Sequence, residues 1–346
     1  MTRDSDGEAR EGSLRVAPAP DMAVATPVLE FPLAPAQNTA FLTPTDKLFV
    51  LAHLGVPRLD EATWRVDVGG QVTTPLSLGY AELASMPQTG VTTVFQCAGN
   101  PQAPTQALRV VANAEWRGVL LRELLARAGV APCCTHVWLY GQDHGSYPGT
   151  PYQEHYVKDL PLDYVMQHDV LVATHLNGEP LRAAHGFPAR IVAPGFYGTN
   201  SVKWLCRIEA ADRRANGLFT RELYNDASVD ADQPAPVWHI APESLIVTPG
   251  DGAALSAEDV TIAGWAWAFD EIVAVAVSVD DGATWTPAEV TPRQASAWQR
   301  FTCPWSPMRA GPHALLCRAT DRQGRTQPLA GARNAVHRVE VTVESA

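Results

Sequence analysis

The run Phe95-Gln96-Cys97-Ala98-Gly99-Asn100 follows Val91-Thr-Thr-Val-Phe95, so Cys97 stands where a buried strand breaks into a glycine-bearing loop. Backbone N–H groups freed in such a loop stabilise a thiolate, which can serve as a nucleophile or as a soft metal ligand. Further on, His185-Gly-Phe-Pro-Ala-Arg190, Pro194-Gly-Phe-Tyr-Gly-Thr-Asn200 and Val202-Lys203-Trp204 form one Gly/Pro-punctuated segment. It displays an imidazole, a guanidinium and an ammonium around a loop, a set that suits a phosphorylated or otherwise anionic cofactor. Taken singly, a cysteine is more often a small core residue and a basic residue a solvated charge. The clustering in order along the chain is what points to chemistry. The six cysteines (Cys97, Cys133, Cys134, Cys206, Cys303, Cys317) contain no C-x-x-C pair, which argues against a zinc ribbon, a thioredoxin-type dithiol or a cysteine-ligated iron–sulfur cluster.

These residues need a scaffold, and 346 residues with 46% hydrophobic and 18% charged side chains predict an ordinary globular protein of two domains. Its 26 basic and 37 acidic residues sum to −11, and only three of the basic residues are lysines, so no basic stripe exists to neutralise a phosphate backbone. Nucleic acid is therefore not an expected partner. No window approaches the ~18 apolar residues of a membrane span. The first 40 residues read as a flexible Pro/Ala-rich tail without signal-peptide character, which predicts a cytoplasmic protein. Residues 41–225 read as α+β: a helix at Tyr80–Ser85, a strand ending at Cys97, a helix at 120–128 stopped by Gly129, and strands near 136–140, 170–175, 190–193 and 202–209. Residues 226–242 are the expected linker. From 243 to 346 six short β-runs (260–268, 272–280, 284–290, 298–303, 314–320, 336–343) predict an all-β sandwich, with Asp280-Asp-Gly282 as a hairpin turn.

Four blocks in order make the chain resemble the sulfite oxidase family of molybdopterin-dependent oxidoreductases, in its bacterial-type form without a haem domain. They are Phe-Gln-Cys-Ala-Gly-Asn at 95–100, Leu-Asn-Gly-Glu-Pro-Leu at 176–181 with the following His-Gly-Phe-Pro-Ala-Arg, the Pro-Gly-Phe-Tyr-Gly to Val-Lys-Trp run at 194–204, and Gly264-Trp-Ala-Trp to Asp-Asp-Gly-Ala-Thr-Trp285. The resemblance implies a molybdopterin-binding catalytic domain followed by an immunoglobulin-like dimerisation domain, hence a homodimer. It implies molybdenum bound by one pyranopterin, with Cys97 as metal ligand and Tyr156 as the active-site tyrosine. His53, Gln96, Asn100, His185, Arg190 and Lys203 would hold the cofactor. No haem is expected in this chain. The implied activity is oxidation of sulfite or a related sulfur compound by oxygen-atom transfer, with electrons passed to an external acceptor such as a cytochrome or small oxidant.

The departures from the family pattern are as informative. Leu51-Ala52-His53 stands where the family has Arg-Asn-His, and Pro101-Gln102 where sulfite oxidases have two arginines. A hydrogen bond to a charged group contributes roughly 1.5–3 kcal/mol, so each missing guanidinium weakens sulfite binding by about tenfold or more. Arg109 and Arg117 are candidate replacements. Two alternatives follow: the same cofactor acting on an organic sulfur compound or an N- or S-oxide, or a non-catalytic dimeric module with a decayed site.

Overall fold

A computed structural model describes residues 27–30, 33–99, 107–108, 110–147, 153–226 and 235–345 of the chain. The first half is built on two five-stranded sheets. In one, Glu179–Pro180, Leu171–Leu176, Val111–Leu120 and Thr89–Gln96 lie side by side antiparallel, and Arg190–Val192 also pairs with Leu171–Leu176. In the other, the order is Leu76–Gly79, Arg65–Gly70, Leu205–Ala211, His136–Ser146 and Gln153–Pro161, antiparallel except where Leu205–Ala211 runs parallel to Arg65–Gly70.

Local signals explain the helices. Tyr80–Ser85 starts after Gly79, whose N–H donates to the Glu82 carboxylate at 2.7 Å. Leu121–Ala128 buries Leu121, Leu124, Leu125 and Ala128, the i, i+3, i+4, i+7 stripe of one helical face, and ends at Gly129 with φ +71°. The strand expected over 202–209 begins only at Leu205. Trp204 adopts φ +50°, and this left-handed step breaks the extended run just where Lys203 turns inward.

From Glu243 onward the chain is a β-sandwich of eight strands in the order Glu243–Thr248, Val260–Trp267, Gln299–Trp305, Thr286–Val290, Ile272–Ser278, Gly311–Asp321, His337–Val343 and Ala253–Leu255. All six expected β-runs are present. Glu243–Thr248 gives no alternating signal because five of its six residues are buried: Ile246 packs in the sandwich core, while Leu245 and Val247 pack toward the first half of the chain. The expected hairpin joins Ile272–Ser278 to Thr286–Val290 through a longer loop, with φ +58° and +88° at Asp281 and Gly282. There the Asp280 carboxylate accepts both the N–H and the hydroxyl of Thr284.

The stretch read as a free tail is in part structural. Val28–Glu30 pairs with Val50–Ala52, and Trp265 of the sandwich donates its indole N–H to the Asn38 carbonyl at 2.6 Å. Residues 1–26, and 227–234 of the expected linker, lie outside the described residues. Among the described residues no helix is long and apolar enough to cross a membrane.

His337 gives the fold a pH signature. Its buried ring accepts the Ile246 N–H on Nδ1 at 3.0 Å, and burial lowers its pKa to about 4. The unfolded chain takes up this proton near pH 6.5 and the folded chain only near pH 4, so stability falls as pH drops through that window, by about 3 kcal/mol in all. Urea titrations of wild type and His337→Gln between pH 7 and pH 4 check this; equal pH slopes for the two proteins contradict it.

Candidate active site

Strand alternation decides what Cys97 and its neighbours face. Phe95 and Cys97, two residues apart, line a cavity of about 760 Å³ of empty space, its open mouth included. Gln96 points the other way: its Oε1 accepts the Trp267 indole N–H at 2.9 Å and its amide donates to the Glu243 carboxylate. Expected from sequence to bind cofactor, Gln96 is not among the residues lining this cavity, and its side chain joins the first half of the chain to the sandwich. The same strand is clamped further up, where Val94 N–H donates to the Ser296 carbonyl at 3.0 Å and Ser296 N–H to the Thr92 carbonyl at 3.1 Å. Asn100 and Arg109 lie outside the described residues.

Cys97 carries a free thiol, and its Sγ accepts the Gly99 N–H at 3.5 Å. Burial pushes the thiol pKa up, against the opposing pull of the Gly99 N–H and of the Arg333 guanidinium. Around it the cavity gathers His53, His185, Arg190, Lys203, Asp143, Tyr156 and Tyr224. Arg190 packs its guanidinium over Phe95 and Trp116, 4.9 and 4.8 Å from the ring centroids, and donates to the carbonyls of His185 and Ser201 at 3.0 Å each. Lys203 donates to the Leu51 carbonyl at 2.7 Å. Gly186, at φ +103°, permits this crowding: a Cβ there would come within 3.0 Å of Arg190 Cβ and 3.1 Å of Lys203 Cβ.

The electrostatics of the cavity are those of a site short of an anion. Burial lowers the pKa of His53 and of His185 to about 4, with Lys203 adding to the effect at both, so both imidazoles are neutral at pH 7. Burial depresses Lys203 and raises Asp143, the two opposing charges being close enough to moderate one another. The buried Asp143 Oδ1 has no hydrogen-bond partner. A buried acceptor without a donor and buried cations held mainly by carbonyls are costly unless a ligand completes them.

The two tyrosines of the cavity make different contacts. Tyr156 lines the cavity, but its hydroxyl is bonded to the carbonyl and hydroxyl of Thr199, both at 2.8 Å. Tyr224 was missed because it lies in Arg221-Glu-Leu-Tyr-Asn225, a stretch without motif character. Its hydroxyl lies 2.6 Å from His53 Nε2, and because burial holds His53 neutral and raises the Tyr224 pKa, the O–H donates to the imidazole. His53 is in turn stacked on Phe219 at 5.3 Å, and Lys158, bonded to the Phe219 carbonyl at 2.7 Å, lies 5.4 Å from the Tyr224 ring centroid.

Arg117 does not refill the anion pocket. It is exposed, opposite His175 in the sheet, while its neighbour Trp116 faces the cavity. The guanidinium whose field reaches Cys97 is Arg333, from the sandwich. It is paired with Asp226 and stacked 5.6 Å from the Tyr197 ring, and its buried Nη1 has no partner. No local signal marks it, since it lies in the turn-like Gly331-Ala-Arg-Asn334 more than two hundred residues from Cys97.

Comparison with known proteins agrees with this geometry. The family model described as the oxidoreductase molybdopterin binding domain matches residues 53–219, and that of the Mo-co oxidoreductase dimerisation domain matches 235–344. The chain is 34% identical over 345 residues to the mitochondrial sulfite oxidase of Mus musculus, covering 88% of this chain and 62% of the relative. It is 31% identical to the sulfite oxidase of Gallus gallus, covering 83% of this chain and 68% of the relative. The chain thus spans about three fifths of the length of the mouse protein. Among solved structures, the sulfane dehydrogenase SoxCD from Paracoccus pantotrophus superposes with a TM-score of 0.76 at 25% identity, covering 99% of this chain and 96% of that one.

Proposed function

The chain belongs to the sulfite oxidase family of molybdopterin-dependent oxidoreductases, and from that premise we propose that it binds molybdenum with one pyranopterin around Cys97 and oxidises sulfite or a related sulfur compound. The observation that carries this reading is the convergence of a soft thiol donor, three basic side chains and an unpartnered carboxylate oxygen on one cavity.

The donor set fits the group. Cys97 offers the soft thiolate that suits molybdenum. Lys203 and Arg190 would offset the phosphate, the neutral His185 ring would hydrogen-bond the cofactor, and the orphaned Asp143 Oδ1 would accept from pterin N–H groups. When bound, the group supplies a centre that exchanges two electrons with the substrate by oxygen-atom transfer. The chain's own part is orientation and proton handling. Arg333, which lines the adjoining cavity with Tyr197 and Asp226 and has an unpartnered Nη1, would favour an oxyanion near Cys97, and the Tyr224 hydroxyl, its proton held on the neutral His53 Nε2, would hydrogen-bond and orient the substrate. Electrons then pass to an external one-electron acceptor. The dimerisation-domain match supports pairing with a second copy through the sandwich.

Tyr224→Phe removes that proton while keeping the ring over Lys158. It is expected to lower kcat by about 10²-fold with a smaller effect on KM, read by steady-state kinetics with sulfite and an artificial acceptor. Tyr156→Phe, whose hydroxyl is bonded to Thr199, is expected to fall less; the opposite ranking restores Tyr156 as the reacting tyrosine.

A second reading, the same cofactor with a less charged sulfur or N-oxide substrate, is favoured by Leu48, Phe49, Val50 and Leu51 on the cavity wall. The anaerobic absorption spectrum of molybdenum-replete protein, before and after sulfite, separates the readings. A thiolate-to-molybdenum band that bleaches at low sulfite supports sulfite oxidation. A band indifferent to sulfite selects the second reading, and absence of both band and metal overturns the proposal.

A further inference from the structure

The hairpin that forms one wall of the cavity has a second face. Its strands His136–Ser146 and Gln153–Pro161 pair with His144 directly opposite His155. Asp143 and Tyr156 line the cavity, and by strand alternation their neighbours His144 and His155 emerge on the other side, where both are only partly buried. The two imidazole centroids are 4.9 Å apart with the planes at 56°.

We propose that His144 and His155 form a two-imidazole site for a late first-row divalent cation, Cu²⁺ or Zn²⁺, on the outer face of the cavity wall. The spacing is that of two imidazoles sharing one ion. A metal–nitrogen bond of about 2.0–2.1 Å added to the ring radius puts each centroid about 3.2 Å from the metal. Nitrogen–metal–nitrogen angles of about 90–110° then separate the centroids by roughly 4.5–5.2 Å.

One ring is already set for ligation. His155 Nδ1 lies 2.9 Å from the Gly141 carbonyl, which can only accept, so Nδ1 carries the proton and Nε2 presents its lone pair. This is the backbone contact that orients histidine ligands in metal sites. Burial lowers the His155 pKa, with His144 and Arg207 acting in the same direction, so the ring is neutral at pH 7 as ligation requires. Arg207 is ion-paired with Glu209, which offsets its repulsion of a cation. Of the two carboxylates adjacent in sequence, Asp143 lines the cavity on the other face and Glu154 is engaged with the Leu218 N–H at 2.8 Å. Among the described residues no third ligand completes a cluster, so water fills the remaining positions, and ions with high intrinsic affinity for imidazole are selected over Mg²⁺.

The test is Cu²⁺ titration of the full, cofactor-loaded chain carrying Cys133→Ser, which removes the exposed thiol as a competitor. Electron paramagnetic resonance is expected to show one Cu²⁺ per chain with coupling to two nitrogens. Zn²⁺ in large excess competes with it, and the same excess of Mg²⁺ does not. His144→Ala and, separately, His155→Gln are each expected to weaken binding at least tenfold and leave one-nitrogen coupling, with melting curves unchanged. Retention of the two-nitrogen signal in either variant, or its absence from the parent, overturns the site.

Discussion

Cys97→Ser is expected to abolish the thiolate-to-molybdenum absorption band and reduce turnover by more than the ~10–100-fold typical of changes in groups that only orient a metal ligand. Serine keeps the shape of the side chain but replaces a soft, polarisable sulfur by a hard, weakly acidic hydroxyl, a poor match for molybdenum. The fold should survive. Cys97 belongs to none of the buried hydrophobic clusters, and the strand behind it is held by Thr92, Val94, Gln96 and the sandwich. Because Lys203, Arg190, His185 and Asp143 would hold the pterin independently of the sulfur, pterin content is expected to persist while the metal-to-pterin ratio falls. Elemental analysis together with fluorescence of the oxidised pterin reads both quantities. A serine variant with the full band and unchanged kcat rules out Cys97 as the ligand.

Arg333→Met is expected to raise KM for sulfite by roughly 10–100-fold, with kcat changed far less, because it removes the guanidinium whose field reaches Cys97 and whose spare N–H would stabilise an oxyanion there. Structural damage should be small, since its partner Asp226 is 57% exposed and is re-solvated when the pair is lost. Sulfate, as an unreactive oxyanion, should lose affinity as an inhibitor to a similar degree, which distinguishes loss of anion binding from distortion of the reacting centre. Arg117→Met serves as control: that side chain is exposed and points away from the cavity, so KM should stay unchanged. An unchanged KM in Arg333→Met, or a large effect in Arg117→Met, reverses the assignment. This experiment also bears on the substrate, because an enzyme for uncharged compounds would be indifferent to both changes.

Both predictions depend on the same architectural feature. The sandwich packs directly against the strand leading to Cys97 through Trp265, Trp267 and Trp298, and contributes Glu243 and Arg333 from its own segments. Glu243 is fully buried, so burial raises its carboxyl pKa well above the usual carboxylate range, and it bonds the Gln96 amide beside Cys97. A domain whose family model concerns dimerisation therefore also packs against the molybdopterin-binding domain.

Much of this protein was legible in the amino-acid sequence. Period-two runs and Gly/Pro punctuation located six sandwich strands, the 3.6-residue stripe and Gly129 bounded a helix, and the glycine-bearing loop after Val91–Phe95 singled out Cys97. His185, Arg190 and Lys203 stood out because they share one short segment, and the structure brings them to the same cavity. These signals are local: backbone preference, side-chain alternation and turn chemistry act over a few residues. What they could not carry is which distant segment covers which face. Gln96 turned out to face the sandwich, Tyr224 rather than Tyr156 reaches His53, and Arg333 rather than Arg117 lies within the field of Cys97. Each of these was decided by the packing of separate layers, where burial of Trp265, Trp267 and Trp298 fixes one docking of the two halves and brings together side chains far apart in the chain.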